Sequence, residues 1–214
     1  MVTAALRIAD DEGLDALTIR RLAQDLGVTP TALYWHFTDK QAVLDAVADQ
    51  LWEDARGEIG ELGAGDDAFI ELRRIFEGLV AVLRRHPAVA PLAPMRAIDC
   101  DAALSITERT LELLGRVGFA GARAADAARL LLCTAIMLVT SQPGAAMPDR
   151  ADREEMLRHK RAALLTLPPG RYPHVEGAAE HLVDCVDDPD AYYALGVDLM
   201  VSGLRDNAPA AARQ

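Results

Sequence analysis

The sequence predicts an all-α protein, a three-helix N-terminal domain joined by a bridging helix to a larger helical bundle. Three observations carry this. Apolar residues recur at spacings of three and four rather than in alternation. The β-branched clusters bounded by turn residues that mark strands are missing. Gly, Pro and Asp breaks at Glu12-Gly13, Leu26-Gly27, Thr38-Asp39, 60–65, 87–94, 115–121, 143–148, 168–173 and Asp188-Pro189 leave about nine helical segments between them. With 214 residues, 51% hydrophobic and 26% charged, the chain has ordinary globular composition, which excludes wholesale disorder and a fibrous rod. The first three helices, up to about residue 37, are short and closely spaced, and the later ones are longer. Residues 1–46 are therefore expected as one unit and 47–214 as another, with a helix over 39–56 as the bridge.

The first helix is expected to begin within a few residues of Met1. The second begins at Thr18, a good N-cap, and turns Ile19, Leu22, Ala23 and Leu26 inward. Ala23 is small enough for another helix to cross closely. Gly27 allows a sharp turn that a β-carbon would disfavour, and Val28 is expected to fill the corner. Thr29 caps a third helix with Pro30 at its first position, and Leu33 and Phe37 face inward one turn apart. Two short helices crossing at a glycine turn are a helix-turn-helix.

The outward face of the third helix has its own chemistry. Tyr34, Trp35 and Phe37 are three of only ten aromatics in the chain, packed with His36 into four residues. Periodicity assigns Phe37 to the core and leaves Tyr34 and Trp35 outside. In a helix-turn-helix, the start of the second helix meets base edges in the major groove. Tyr34 can donate to a phosphate, Trp35 can pack on sugar or a thymine methyl, and Thr29 and Thr31 can bond to bases or backbone. Arg20 and Lys40 are placed to clamp phosphates on either side. His36 reads equally as a phosphate contact or as a structural hydrogen-bonding group.

The run Leu17-Thr18-Ile19-Arg20, Leu22-Ala23, Leu26-Gly27-Val28, Leu33-Tyr34-Trp35-His36-Phe37, Lys40 and Leu44 resembles the TetR family of transcriptional regulators. A weaker likeness, resting on 111–119 and 192–204, extends to the tetracycline-repressor type of regulatory domain. The resemblance implies a helical DNA-binding domain, a regulatory bundle that dimerises, and a repressor released from double-stranded operator DNA by a small organic effector. It places Thr18, Arg20, Thr29, Pro30, Thr31, Tyr34, Trp35, His36 and Lys40 at the DNA. The pattern departs from the family in two places. The early start of the first helix puts a minor-groove contact by a basic arm in doubt, and residues 87–100 contain no histidine to match the one used in metal-assisted tetracycline binding, so a magnesium–tetracycline ligand is not implied.

In the later helices, Tyr192, Gly196, Leu199 and Gly203 form a stripe at i, i+4, i+7 and i+11. Its glycines permit close approach at a cost of roughly 1 kcal/mol each against alanine. Ala128, Leu132, Ala135 and Val139 form a similar stripe on a helix over 123–141. By fold analogy the two stripes together are expected to build a four-helix homodimer interface. Polar groups on otherwise apolar helices suggest an effector cavity: Ser105, Thr107, Cys133, Met137 and Thr140, with Phe76, Leu79 and Leu83 opposite, Met95 and Met147 in adjacent loops, and His86 before Pro87. Each of these is also ordinary core filling.

Other functions find less support. There is no GxSxG elbow, P-loop or dinucleotide fingerprint, so no enzyme activity and no cofactor are expected. His181, Asp184 and Cys185 share a helix face but lack metal-site spacing, and a solvated face is the better reading. Cys100, Cys133 and Cys185 are scattered, consistent with reduced thiols and a cytoplasmic location. Residues 130–139 are apolar for only about half the length of a bilayer span, so no membrane partner is expected. The alternative to a DNA-binding regulator is a small-molecule-binding or catalytic bundle that no longer uses its helix-turn-helix.

Net charge is −11, with 22 basic against 33 acidic residues, which at first opposes a nucleic-acid partner. The acidity is concentrated elsewhere: residues 18–40 hold three basic and two acidic residues. Few phosphate contacts and a shallow salt dependence follow.

Overall fold

The computed structural model describes residues 1–60, 67–141, 150–183 and 189–209. Within them are eleven α-helices and one 3₁₀ segment, and no strand. Helix α1 (Val2–Glu12) buries Ala5, Leu6, Ile8 and Ala9. Helix α2 (Ile19–Leu26) starts where Thr18 Oγ1 accepts the Arg21 N–H at 3.1 Å, and it buries Leu22 and Ala23. It ends at Gly27 in the left-handed region (φ 66°), with the Val28 N–H donating back to the Ala23 carbonyl. That backbone bond closes the corner. The Val28 side chain is 44% exposed, so the expectation that it fills the corner is corrected.

Helix α3 is only Pro30–Leu33, capped by Thr29 Oγ1, which accepts the Ala32 N–H at 3.3 Å. The chain then loosens into a turn over residues 34–36, yet the Phe37 N–H still reaches the Leu33 carbonyl at 2.9 Å. Leu33 and Phe37 therefore both stay in the core. Asp39 Oδ1 accepts the Ala42 N–H and starts α4 (Lys40–Ile59), which runs a turn longer than its expected end and buries residues from Val43 to Ile59.

Helix α4 is the spine. It packs on α1 at one end and on α5 (Ala68–Arg85), the 3₁₀ segment (Ala90–Arg96) and α6 (Asp101–Arg116) at the other. The approach to α5 is close: a β-carbon at Gly78 would lie 2.5 Å from Ile59 Cγ1. Pro91 and Pro94 prevent the 3₁₀ segment from settling into an α-helix. Helix α7 (Ala122–Thr140) covers α5 and α6, and α11 (Pro189–Asn207) lies against α5 and α7. Helices α8 (Arg150–Leu165), α9 (Pro173–Gly177) and α10 (Ala179–Val183) pack chiefly on one another.

Ion pairs tie the spine to the bundle. Asp49 meets Arg96 at 2.7 Å, Glu58 meets Arg85 at 2.8 Å, and Arg56 meets Asp101 at 3.1 Å. Deeper in, Arg109 of α6 donates to the buried Glu71 of α5 at 2.7 Å. One contact joins α1 directly to the end of α5, where His86 Nδ1 lies 2.7 Å from Asp10 Oδ2.

Candidate nucleic-acid interface and effector cavity

Thr18, Arg20, Thr29, Pro30, Thr31, Tyr34, Trp35, His36 and Lys40 are all exposed. Trp35 is 87% exposed and Tyr34 56%, more than any other large apolar side chain of residues 1–46, where Met1 follows at 45% and Val28 at 44%. Burying a large apolar side chain is worth about 1.5–3 kcal/mol, and the Trp35 indole gains almost none of it within the subunit. The hydroxyl oxygens of Thr18 and Thr29 accept capping bonds, so both side chains are held in place. Lys40 Nζ donates to the Leu14 carbonyl at 3.3 Å, which anchors the cation beside the turn between α1 and α2.

The remaining charges of this domain are engaged elsewhere. Arg7 hydrogen-bonds Asp25, and Arg21 donates through Nε to Glu12 at 3.2 Å. These hydrogen bonds hold the Asp25 and Glu12 carboxyls below the usual range. Two of the four basic side chains in residues 1–46 thus neutralise local acids, while Arg20 carries no ion pair among the described residues and Lys40 meets only a neutral carbonyl.

A cavity of about 530 Å³ opens in the bundle. Trp52 of α4, Ile75, Phe76 and Leu79 of α5, Pro94 of the 3₁₀ segment, Ile106, Thr107, Thr110 and Leu111 of α6, and Ala128, Arg129, Leu131, Leu132 and Cys133 of α7 contribute to its wall. Of the residues expected there, Phe76, Leu79, Thr107 and Cys133 line it. Leu83 instead borders a space of about 10 Å³, too small for a ligand. Ser105 bonds the Asp101 carbonyl on an exposed face, and Thr140 bonds the Ile136 carbonyl away from the cavity. Met95 and Met137 are 48% and 63% exposed and do not line it. His86 turns to Asp10. Met147 lies outside the described residues, as do Asp184 and Cys185. Among the described residues no three His, Cys, Asp or Glu side chains gather closely enough to hold a metal.

The dimer stripes are also redistributed. Ala135 and Val139 are 0% and 2% exposed inside the subunit, while Ala128 and Leu132 turn to the cavity, so none of the four serves as the outward stripe expected of α7. The apolar side chains that α7 turns outward are Leu130 and Met137, at 58% and 63% exposed. On α11, Gly196 lets α7 approach within the same chain, since a β-carbon there would meet Leu138 at 2.5 Å. Tyr192 is half-buried against the Tyr193 ring, whereas Leu199 is exposed beside Leu195 and the space over Gly203 is open.

Sequence reasoning missed Trp52, Ile75, Ile106, Thr110, Leu111 and Arg129 as cavity residues. The interior positions carry the same three-four spacing as any core residue, so no local signal separates a cavity wall from a packed interior. Trp52 had a signal in principle, being an aromatic with an N–H that must find a partner when buried. It donates to the Ala93 carbonyl at 3.0 Å.

Residues 2–47 match the description "Bacterial regulatory proteins, tetR family", and residues 65–208 match "Tetracyclin repressor-like, C-terminal domain". The tetracycline repressor protein class A from transposon 1721 of Escherichia coli is 29% identical, over 95% of this chain and 88% of its own length. The Streptomyces coelicolor TetR family protein ActR in complex with actinorhodin is similar at a TM-score of 0.74 and 27% identity, covering 99% of this chain and 96% of that one. TetR from Acinetobacter baumannii AYE shares the fold at a TM-score of 0.67 and 22% identity. No described helix is long and apolar enough to cross a membrane. With an exposed aromatic helix-turn-helix, a bundle holding a ligand-sized cavity and two family descriptions that together span most of its length, the chain belongs to the TetR family of bacterial regulatory proteins and is a ligand-responsive, DNA-binding transcriptional repressor.

Proposed function

We propose that residues 1–46 read an operator as one half of a homodimer, and that residues 47–214 dimerise and bind the effector. Thr29, Pro30, Thr31, Tyr34, Trp35 and His36 enter the major groove, with Thr18, Arg20 and Lys40 on the flanking phosphates. The observation that carries this reading is the 87% exposure of Trp35 beside the exposed Tyr34 on the helix-turn-helix. Two copies bind half-sites about 34–36 Å apart, one turn of DNA. Leu130 and Met137 of α7 with Leu195 and Leu199 of α11 supply the apolar face between subunits, because four large exposed side chains on adjacent helices need cover.

The effector enters the cavity and is mainly apolar, as its lining is. Trp52 belongs to α4 and to the cavity wall at once, and Arg96 beside Pro94 holds Asp49 of α4. A ligand that favours a different position of this wall therefore moves α4 and, with it, α1 to α3. That shift takes the paired recognition helices out of register, provided that the two states differ in effector affinity. No catalytic step is assigned, and the protein works in the cytoplasm.

A gel shift with DNA flanking the gene, at stated salt, tests the reading. Specific retention by the native chain, lost on Tyr34→Ala/Trp35→Ala with the dimer intact, is the expected result. Absence of specific retention at any reasonable concentration favours the bundle that has abandoned its helix-turn-helix. Loss of the dimer in the double variant means that the two aromatics are structural.

A further inference from the structure

We propose that the effector is a largely apolar, ring-sized carboxylic acid bearing a hydroxyl group, its hydroxyl inserted against α6 and its acid held at the rim of the cavity by Arg129. This rests on the cavity being the effector site, and it follows from a count of hydrogen-bonding capacity along the wall.

Each buried polar side chain in the lining has already given away its proton. Trp52 donates its indole N–H to the Ala93 carbonyl at 3.0 Å. Thr110, only 5% exposed, donates its hydroxyl to the Ile106 carbonyl at 2.7 Å. Thr107, on the same face one turn earlier, points its hydroxyl to the Ala97 carbonyl at 3.5 Å. The backbone N–H groups within the helices that form the wall are spent in their own ladders. The interior therefore offers the lone pairs of two hydroxyl oxygens and no strong donor. A ligand that brings a carbonyl or an ionised group inward finds nothing to bond it, and an unpaired buried polar group costs about 1–3 kcal/mol. A ligand hydroxyl or N–H finds an acceptor.

The rim is the reverse. Among the described residues, Arg129 is the one charged residue of the lining. Its side chain is 71% exposed, and among the described residues its ion-pair partner is the exposed Asp126 at 3.3 Å, one turn earlier on α7. The guanidinium keeps free N–H groups and meets a carboxylate by two parallel bonds. The remaining wall, from Phe76, Leu79, Ile106 and Leu132, is apolar and suits a ring system.

Isothermal titration calorimetry of the full chain tests this with 6-hydroxy-2-naphthoate, its methyl ester and 6-methoxy-2-naphthoate. The native protein should bind the hydroxy acid about fivefold more tightly than the ester, the range of a solvent-exposed ion pair. It should bind the hydroxy acid about tenfold more tightly than the methoxy compound, as for one buried hydrogen bond. Arg129→Gln should erase only the preference over the ester, with Arg129→Lys restoring part of it. Thr107→Val/Thr110→Val, nearly equal in volume, should erase only the preference over the methoxy compound, and Thr107→Ser/Thr110→Ser should keep it. Ala128→Phe, which fills the cavity, locates the binding. Equal affinity for all three compounds, abolished by Ala128→Phe, overturns the acid-and-hydroxyl assignment and leaves the cavity as the effector site. So does an acid preference that survives Arg129→Gln. No binding of any compound overturns the assigned ligand class, whereas binding indifferent to Ala128→Phe overturns the effector-site reading itself.

Discussion

Replacing His86 by alanine should destabilise the protein at neutral pH and leave it nearly unaffected in acid. The Asp10 carboxyl of α1 is partly buried; Oδ2 meets His86 at 2.7 Å, and Oδ1 is buried with no hydrogen-bond partner among the described residues. Burial pushes this carboxyl above the usual range, and the His86 hydrogen bond pulls it part of the way back. Without His86 the carboxyl rises further. A carboxyl with a raised folded-state pKa stabilises the fold fully below its ordinary value, near 3.9, and loses that contribution as the pH climbs through the folded value. The variant should therefore match the native protein near about pH 4 and fall behind as the pH approaches 7. There it loses one hydrogen bond to a charged group, about 1.5–3 kcal/mol, reduced toward the lower figure because both side chains are about a quarter exposed. In urea, at a slope of about 2 kcal/mol per molar, the midpoint should drop by about 0.7 M, compared at equal protein concentration because a dimer's stability depends on it. Adding Asp10→Asn should recover most of the loss at neutral pH. A deficit of equal size at both pH values, or no recovery in the double variant, would refute the reasoning and reduce His86 to a packing residue.

Three further outcomes are expected. Arg20→Ala should weaken binding about equally for specific and unrelated DNA and flatten the salt slope by about two, one phosphate per subunit, from an initial slope of about −4 if Arg20 and Lys40 are the phosphate contacts; fluorescence anisotropy across a salt series reads this. Leu199→Glu should give a monomer by sedimentation velocity with an unchanged helical circular dichroism signal, because Leu199 is 66% exposed within the subunit and carries none of its core. Trp52→Phe should cost about 1 kcal/mol of unfolding free energy, measured by denaturant titration, through loss of the bond to Ala93, and should shift the effector concentration that releases DNA. An unaltered release profile would sever Trp52 from the transmission path.

Net charge proves a poor guide to the partner of this chain. The −11 is a whole-chain quantity, whereas the surface around Trp35 proposed to meet DNA is sensed only within a screening length of about 8 Å. Within that N-terminal unit, Arg7 and Arg21 are tied down by Asp25, Asp11 and Glu12. Acid pairing thus ties up two cations that could have contacted phosphate indiscriminately, and leaves Arg20 and Lys40 as the exposed cations beside the aromatic surface. Weak non-specific binding is the expected consequence.

The helix-turn-helix is legible from residues alone because every signal that builds it is local. Thr18, Thr29 and Asp39 cap helices within three residues of themselves, Gly27 takes a backbone angle that other residues avoid, and Leu22, Leu33 and Phe37 fall on one face by periodicity. The same periodicity exposes Tyr34 and Trp35, so the surface that meets DNA could be read with the core. The bundle is different. Ala128 and Leu132 have the spacing of an interface stripe yet face a cavity, Ala135 and Val139 are core, and Gly196 serves a crossing within one chain. Periodicity tells which side of a helix is apolar; it does not tell which of three apolar environments that side meets: core, cavity or partner. That choice depends on where α4, α5, α6, α7 and α11 cross, over sequence separations that no local pattern encodes. His86 makes the same point, since its partner Asp10 lies 76 residues away. The sequence by itself therefore determined the helices, their caps and the exposed aromatic surface of the helix-turn-helix, while only the tertiary structure decided which apolar faces enclose a cavity and which remain open at the surface.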